Sequence, residues 1–91
     1  MSDVMLRVMS YNGKIIKIPK PFDECDFGKN PLEEIEISNR FSGEKTLLPN
    51  FAVAIYDTII GSEQFQDDET MRKGLDFFIK NFPKQYMVLL D

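Results

Sequence analysis

The sequence contains no histidine, one cysteine and no tryptophan. Histidine is the side chain most often used for proton transfer near neutral pH, and it is the commonest metal ligand. Its absence excludes nucleophile systems in which an imidazole activates serine or cysteine, and it excludes zinc sites that include histidine. The lack of tryptophan also removes a platform for stacking sugars. These absences argue against most classes of enzyme.

The lone cysteine, Cys25, has no partner for an internal disulfide, which points to a reducing compartment. It lies between Glu24 and Asp26, whose negative charges disfavour the thiolate, and no imidazole is present to deprotonate it. We therefore expect a part-buried loop thiol, and we predict no catalytic residue in the chain.

The sequence shows neither a signal-peptide pattern nor an apolar run of about 18 residues, so we expect a cytoplasmic protein with no membrane partner.

The five glycines are scattered singly, so no phosphate-binding loop or dinucleotide fingerprint is present, and we expect no cofactor. A net charge of −4 opposes attraction to phosphate backbones, which predicts no nucleic-acid partner. The basic residues are scattered, and eight of the eleven fall in two groups that are distant in sequence. The first group predicts a small positive strip or a protected sheet edge. The groups are Arg7, Lys14, Lys17 and Lys20, and Arg72, Lys73, Lys80 and Lys84.

What is present is enough apolar material for one core. The chain has 91 residues, 43% of them hydrophobic, including eight phenylalanines. This length and composition predict a single compact domain over residues 1–91. A domain this small is marginally stable, so a partner or self-association would stabilise it.

The first half of the chain reads as two β-hairpins joined by an irregular loop. Val4 to Ile18 alternates around Asn12-Gly13, the preferred two-residue type I′ turn, which places Met9 opposite Ile16 and Val8 opposite Lys17. A second hairpin is predicted from Leu32–Phe41 and Glu44–Leu48. Ile35 and Ile37 should lie on its buried face, and Glu34 and Glu36 on its solvent-exposed face.

Two helices and a final strand are predicted to follow. Asn50 is a good N-cap for an almost wholly apolar helix that runs to about Gly61. A second, amphipathic helix begins near Asp67 or Asp68 and ends before Pro83. The apolar run Tyr86–Leu90 predicts a strand. The fold class is therefore α+β: a mostly antiparallel sheet of two hairpins plus a C-terminal strand, with two helices packed on one face.

The apolar residues of the second half of the chain, in the helix Phe51 to Ile60, at Phe77 and in Tyr86 to Leu90, exceed what one small core is expected to bury. We therefore interpret the chain as a non-enzymatic protein-interaction module that binds another protein or a second copy of itself. The residues predicted for this interface are Phe51, Ile55, Phe77, Tyr86, Val88 and Leu90.

Two alternatives remain open. The irregular loop Phe22 to Asn30, which Phe22 and Phe27 should pin onto the core, could bind a small ligand or a divalent metal through Asp23, Glu24 and Asp26. A solvated acidic loop explains the same residues. The third alternative is a hydrolase that uses two carboxylates, which would need a concave pocket with two facing acids.

Three stretches, NPLEEIEISNRFSGE, LPNFAVAIYDTIIGSEQ and MRKGLDFFIKNFPKQYMVLLD, resemble small proteins encoded by marine cyanobacterial phages. Together they cover about three-fifths of the chain. No activity is associated with these proteins, so the resemblance implies no site residues. It implies an intracellular protein that acts in an infected host and binds a host or phage protein.

Overall fold

The computed structural model describes residues 7–90. In chain order the elements are β1 (Arg7–Tyr11), β2 (Lys14–Ile18), a 3-10 turn (Phe22–Glu24), β3 (Glu34–Ser38), β4 (Lys45–Pro49), α1 (Asn50–Gln64), α2 (Asp68–Asn81) and α3 (Pro83–Leu89). The α+β class is confirmed. Within residues 7–90 no helix is long and apolar enough to cross a membrane.

The first hairpin has the predicted turn and register. Asn12 and Gly13 both have positive φ angles, 52° and 74°, as a type I′ turn requires. Met9 lies opposite Ile16 and Val8 opposite Lys17. Ile16 and Ile18 are buried and Ile15 and Lys17 are exposed, so alternation along β2 separates a core face from a solvent face. Residues Val4 to Leu6 of the predicted hairpin lie outside the described part of the chain.

The second hairpin is also confirmed, but it does not join the first. β3 pairs antiparallel with β4, and β1 pairs only with β2, so the described chain has two separate two-stranded sheets. Ile35 and Ile37 are half-buried whereas Glu34 and Glu36 are exposed, as the alternation predicts. One hydrogen bond links the hairpins: the Tyr11 hydroxyl donates to Glu34 Oε2 over 2.7 Å.

α1 begins without the predicted side-chain cap. Asn50 is the first helical residue rather than the N-cap, and the residue before it, Pro49, provides no capping hydrogen bond. The loop before β3 takes that role, since the backbone N–H groups of Asn50 and Phe51 donate to the carbonyls of Glu33 and Pro31. Two of the amides that a helix start leaves unpaired are satisfied in this way. The helix also ends later than predicted, at Gln64.

α2 begins as predicted and packs closely on α1. Asp67 is the N-cap, and its carboxylate accepts a hydrogen bond from the Thr70 N–H. Gly74 faces α1 so closely that an added Cβ would overlap the Ile59 side chain. Phe77, which lies away from the main apolar stripe, reaches the core and is 5% exposed.

The predicted C-terminal strand is wrong, because Pro83–Leu89 forms a third helix. Pro83 occupies the start of that helix, where its fixed φ and missing N–H are tolerated. Phe82, Tyr86 and Leu89 follow the spacing i, i+4, i+7, so the apolar residues of this segment fit a helical stripe. The backbone bonds are helical as well, with Tyr86 N–H donating to the Phe82 carbonyl over 2.8 Å.

The core is a cluster of aromatic rings between the hairpins and helices. Phe51 of α1 and Phe82 lie with ring centroids 6.1 Å apart, and Tyr11 of β1 contacts both rings. The loop before β3 covers another side of α1, since Phe27 packs edge-on against Phe51. Phe22 and Phe27 are both buried, which confirms that they pin this loop.

Candidate functional site

Three of the predicted interface residues lie in the core. Phe51 and Ile55 are fully buried and Phe77 is nearly so. A partner cannot reach them in the folded chain, so their assignment to a surface is corrected. The long loop is the reason that α1 is covered, because Phe27 packs against Phe51 and Phe22 is buried in the same core. Tyr86, Val88 and Leu90 are half-buried and pack against the same core from α3 and its end.

Other large apolar side chains are exposed, and three of them are the most exposed in the described chain. Phe41 lies in the turn between β3 and β4, Phe65 follows α1, and Met87 lies on α3; they are 86%, 85% and 67% exposed. Phe41 is partly covered by the Arg40 guanidinium, 5.1 Å from its ring centroid.

The acidic loop does not assemble a metal site. Asp26 Oδ1 accepts a hydrogen bond from the Gly28 N–H over 2.9 Å, which is a local turn contact. Asp23 Oδ1 is buried without a hydrogen-bond partner, while Glu24 is exposed. Among residues 7–90 no group of three or more cysteine, aspartate or glutamate side chains is placed to hold a metal ion.

Cys25 is the part-buried loop thiol that the sequence predicts. Its Sγ lies 3.4 Å from Thr58 Oγ1 on α1. Thr58 Oγ1 in turn donates to the carbonyl of Ala54. The nearby Arg7 guanidinium donates to the Cys25 carbonyl over 3.2 Å.

A concave feature lies between β2 and α2, and we call it the lysine cleft. Its volume is about 600 Å³, in the range of ligand-binding pockets. β2 and the residue after it contribute Lys14, Ile15, Lys17 and Pro19. α2 contributes Lys73, Asp76, Phe77, Lys80 and Asn81.

The lysine cleft is strongly positive on an acidic chain. Its four lysines and one aspartate give a formal charge of +3, whereas the whole chain carries −4. Lys73 makes one weak ion pair, with its Nζ 3.7 Å from Glu69 Oε2 at an exposed position. Within the described residues Lys14, Lys17 and Lys80 have no ion pair.

Local structure explains how these lysines converge. On α2, Lys73, Asp76, Phe77 and Lys80 follow the spacing i, i+3, i+4, i+7, which places them along one side of the helix. Phe77 anchors this side in the core. On β2, Ile15 and Lys17 share the solvent face of the hairpin.

The lysine cleft also has apolar surface. Ile15 is 64% exposed, on the face of β2 opposite to the buried Ile16. Pro19 is half-buried at the end of the strand. A ligand in the cleft could therefore bury apolar groups as well as pair with cations.

The lysines are evident in the sequence, but the cleft is not. Lys14 and Lys17 lie far in sequence from Lys73 and Lys80, and nothing in the alternation of one element says which other element lies beside it. The one available signal was Phe77: an aromatic residue away from the main stripe of α2 indicated a second contact face.

The hydrolase alternative requires two facing carboxylates in a pocket. Each of the two clefts described here has one acid, Asp76 in the lysine cleft and Glu33 in a shallower cleft at residues 29–33, so neither provides the pair.

Comparison with known proteins leaves the function to be argued from this geometry, since no protein family, curated protein or solved structure matches the chain.

Proposed function

We propose that this protein is a non-enzymatic interaction module that binds an acidic segment of another protein in the lysine cleft. The observation that carries the proposal is the convergence of four lysines around a cleft of about 600 Å³ on a chain with a net charge of −4. One aspartate lines the cleft with the four lysines, so positive charge is in excess there. Like charges repel each other, and a carboxylate ligand reduces that repulsion.

Protection of a sheet edge explains only part of this arrangement. Lysines on an edge strand oppose unwanted pairing, and Lys14 and Lys17 could serve that purpose alone. Lys73 and Lys80 lie on α2, across the cleft from the strand, where edge protection does not require them. A ligand held between the two elements accounts for both pairs.

A protein segment fits the lysine cleft better than a nucleic acid or an inorganic anion. A nucleic acid carries phosphate charge along its whole length and would extend beyond the cleft onto the rest of an acidic chain, which opposes its binding, whereas a short acidic segment can lie within the cleft alone. An inorganic ion has no apolar group that could contact the exposed Ile15 side chain. A peptide can contact Ile15 with an apolar side chain while its carboxylates pair with the lysines.

The proposal includes the setting that the sequence resemblance implies. The partner is a host or phage protein met in the cytoplasm of an infected cell. No imidazole is present, and neither described cleft contains two acids, which supports a binding role rather than catalysis.

The test measures the affinity of a fluorescein-labelled peptide by anisotropy. The probe is an eight-residue peptide of alternating glutamate and valine with blocked ends, and the charge control alternates lysine and valine. We expect the acidic peptide to bind and the basic one not to bind. Because exposed charges are screened by salt, affinity should fall as salt rises from about 50 to about 300 mM.

Matched variants localise the binding. The cleft variant carries Lys14→Gln, Lys17→Gln and Lys80→Gln, and the control variant carries Lys29→Gln, Lys45→Gln and Lys84→Gln, which removes the same charge elsewhere. At about 0.2–1 kcal/mol per exposed ion pair, the cleft variant should bind roughly tenfold more weakly than the control variant. Equal loss in both variants, or no binding of the acidic peptide up to about 1 mM, would contradict the proposal.

A further inference from the structure

We infer that the acidic segment binds as an added β-strand along the free edge of β2, so that main-chain hydrogen bonds to Ile15 and Lys17 set its register. This inference rests on the proposed function and specifies how the lysine cleft recognises its ligand. Strand addition is a recurring mode of peptide recognition, in which backbone bonds provide affinity and side-chain contacts provide specificity.

The turn geometry determines which backbone groups point outward. In the type I′ turn at Asn12-Gly13, the Tyr11 carbonyl accepts a hydrogen bond from the Lys14 N–H. Tyr11 and Lys14 are thus a hydrogen-bonded pair. Bonded and non-bonded pairs alternate along an antiparallel ladder, so Ile15 and Lys17, opposite Ser10 and Val8, are in non-bonded pairs. Their N–H and C=O groups point away from β1.

These outward groups lie at the lysine cleft. Within residues 7–90, β2 pairs with no strand other than β1, and the N–H and C=O of Ile15 and Lys17 make no backbone hydrogen bond outside that pairing. Both residues line the cleft, whereas no residue of β1 does. The cleft is therefore at the outer edge of β2, where a further strand would pair.

Charge selects the occupant of this edge. If a second copy paired through its own β2, it would bring another Lys14 and Lys17 against the first pair, and like charges on adjacent strands are destabilising. An acidic strand has the opposite effect, and it can also reach Lys73 and Lys80 across the cleft. The edge thus excludes self-pairing and accepts a carboxylate-bearing segment.

The test uses the blocked glutamate–valine peptide in two N-methylated forms, one methylated at the valine amides and the other at the glutamate amides. Along an added strand, alternate residues direct their amides toward β2, so one methylated set blocks the pairing bonds and the other set faces away. We expect one form to bind roughly tenfold more weakly, or worse, and the other to bind like the parent peptide.

Amide hydrogen exchange provides an independent measurement. Addition of the parent peptide should slow exchange at Ile15 and Lys17 by roughly tenfold or more. It should change exchange little at Ile16, whose N–H already pairs with Met9.

The outcomes separate this inference from the proposed function. Equal affinity for both methylated forms, with no protection of Ile15 or Lys17, would overturn strand addition while cleft binding stands. Failure of the parent peptide to bind would overturn both. A dimer of the free protein in sedimentation that dissociates in the cleft variant would also overturn the inference, because the edge would then pair with itself.

Discussion

Gly74 provides a quantitative test of how α2 is positioned, and with it one wall of the lysine cleft. Replacing Gly74 with alanine would place the new Cβ 3.0 Å from Cζ of Phe22 and 2.6 Å from Cδ1 of Ile59, and it would overlap Cγ1 of Ile59. Both neighbouring side chains are buried, with exposures of 0% and 2%. They cannot move aside without repacking the core.

Gly61 on α1 is the matched control, because nothing lies within 4 Å of the Cβ that alanine would add there. Both substitutions gain helix propensity, about 1 kcal/mol each. Only Gly74→Ala also incurs overpacking, at about 1–3 kcal/mol. We expect Gly61→Ala to stabilise the protein by about 1 kcal/mol and Gly74→Ala to be about 1–3 kcal/mol less stable than Gly61→Ala.

The assay is urea denaturation followed by circular dichroism, comparing midpoints at unchanged slope. A second substitution identifies the side chain responsible. Ile59→Ala alone should cost about 2–5 kcal/mol through the cavity it leaves. In the double variant, the cost of Gly74→Ala should largely disappear, because the clashing atoms are gone. If Gly74→Ala stabilises the protein as much as Gly61→Ala does, the close approach of α1 and α2 is refuted.

Three further contacts predict measurable effects. Tyr11→Phe removes the hydrogen bond to Glu34 and should lower the free energy of unfolding by about 0.5–1.5 kcal/mol in urea denaturation. Burial, then hydrogen bonding to Glu34 and its charge, raise the pKa of Tyr11. The folded state therefore holds the phenol proton more tightly, and this contribution should be lost as pH rises above about 10; Glu34→Gln should lower the pKa in a spectrophotometric titration. Asp67→Ala should lower the urea midpoint more than Asp67→Asn, which keeps a capping acceptor. Hydrogen bonding to Thr70 lowers the pKa of Asp67, so its contribution should be lost as pH falls below about 3.9 and through that lowered value. Asn39 donates to the Val88 carbonyl over 2.7 Å, so Asn39→Asp should destabilise the protein by about 1–3 kcal/mol and speed amide exchange in α3. Wild-type values in any of these variants would contradict the contact concerned.

The parts of the fold that sequence predicts correctly are those whose signals are local. Asn12-Gly13 determines both turn type and register of the first hairpin, because few other dipeptides tolerate two positive φ angles. Asp67 marks the start of α2 because a carboxylate at that position caps free amides. Such features need no information about distant residues.

The errors occur where a pattern fits two structures or where packing decides. The run from Tyr86 to Leu90 fits a buried strand and one face of a helix equally well. The preceding Pro83 and the spacing from Phe82 favour the helix. Phe51 and Ile55 were assigned to a surface because their helix is apolar on nearly every side. The irregular loop covers that helix with Phe27, and a loop without periodicity does not reveal where it lies.

The lysine cleft was not predicted for the same reason. Lys17 and Lys80 belong to elements far apart in sequence. The sequence predicts only that both elements pack on the same hydrophobic core, not that their exposed faces adjoin. Charge patterning within one element identifies a solvated face. It does not identify two faces that meet across a cleft.

The central claim is that the lysine cleft binds an acidic segment, and the most direct measurement is an amide chemical-shift titration of the labelled protein with the glutamate–valine peptide. We predict that the largest shifts follow the two walls of the cleft, at Ile15, Lys17 and the α2 residues Lys73 to Lys80. Residues of the β3–β4 turn, around Phe41, should stay unchanged. Shifts spread evenly over all lysines, or concentrated away from β2 and α2, would contradict this account.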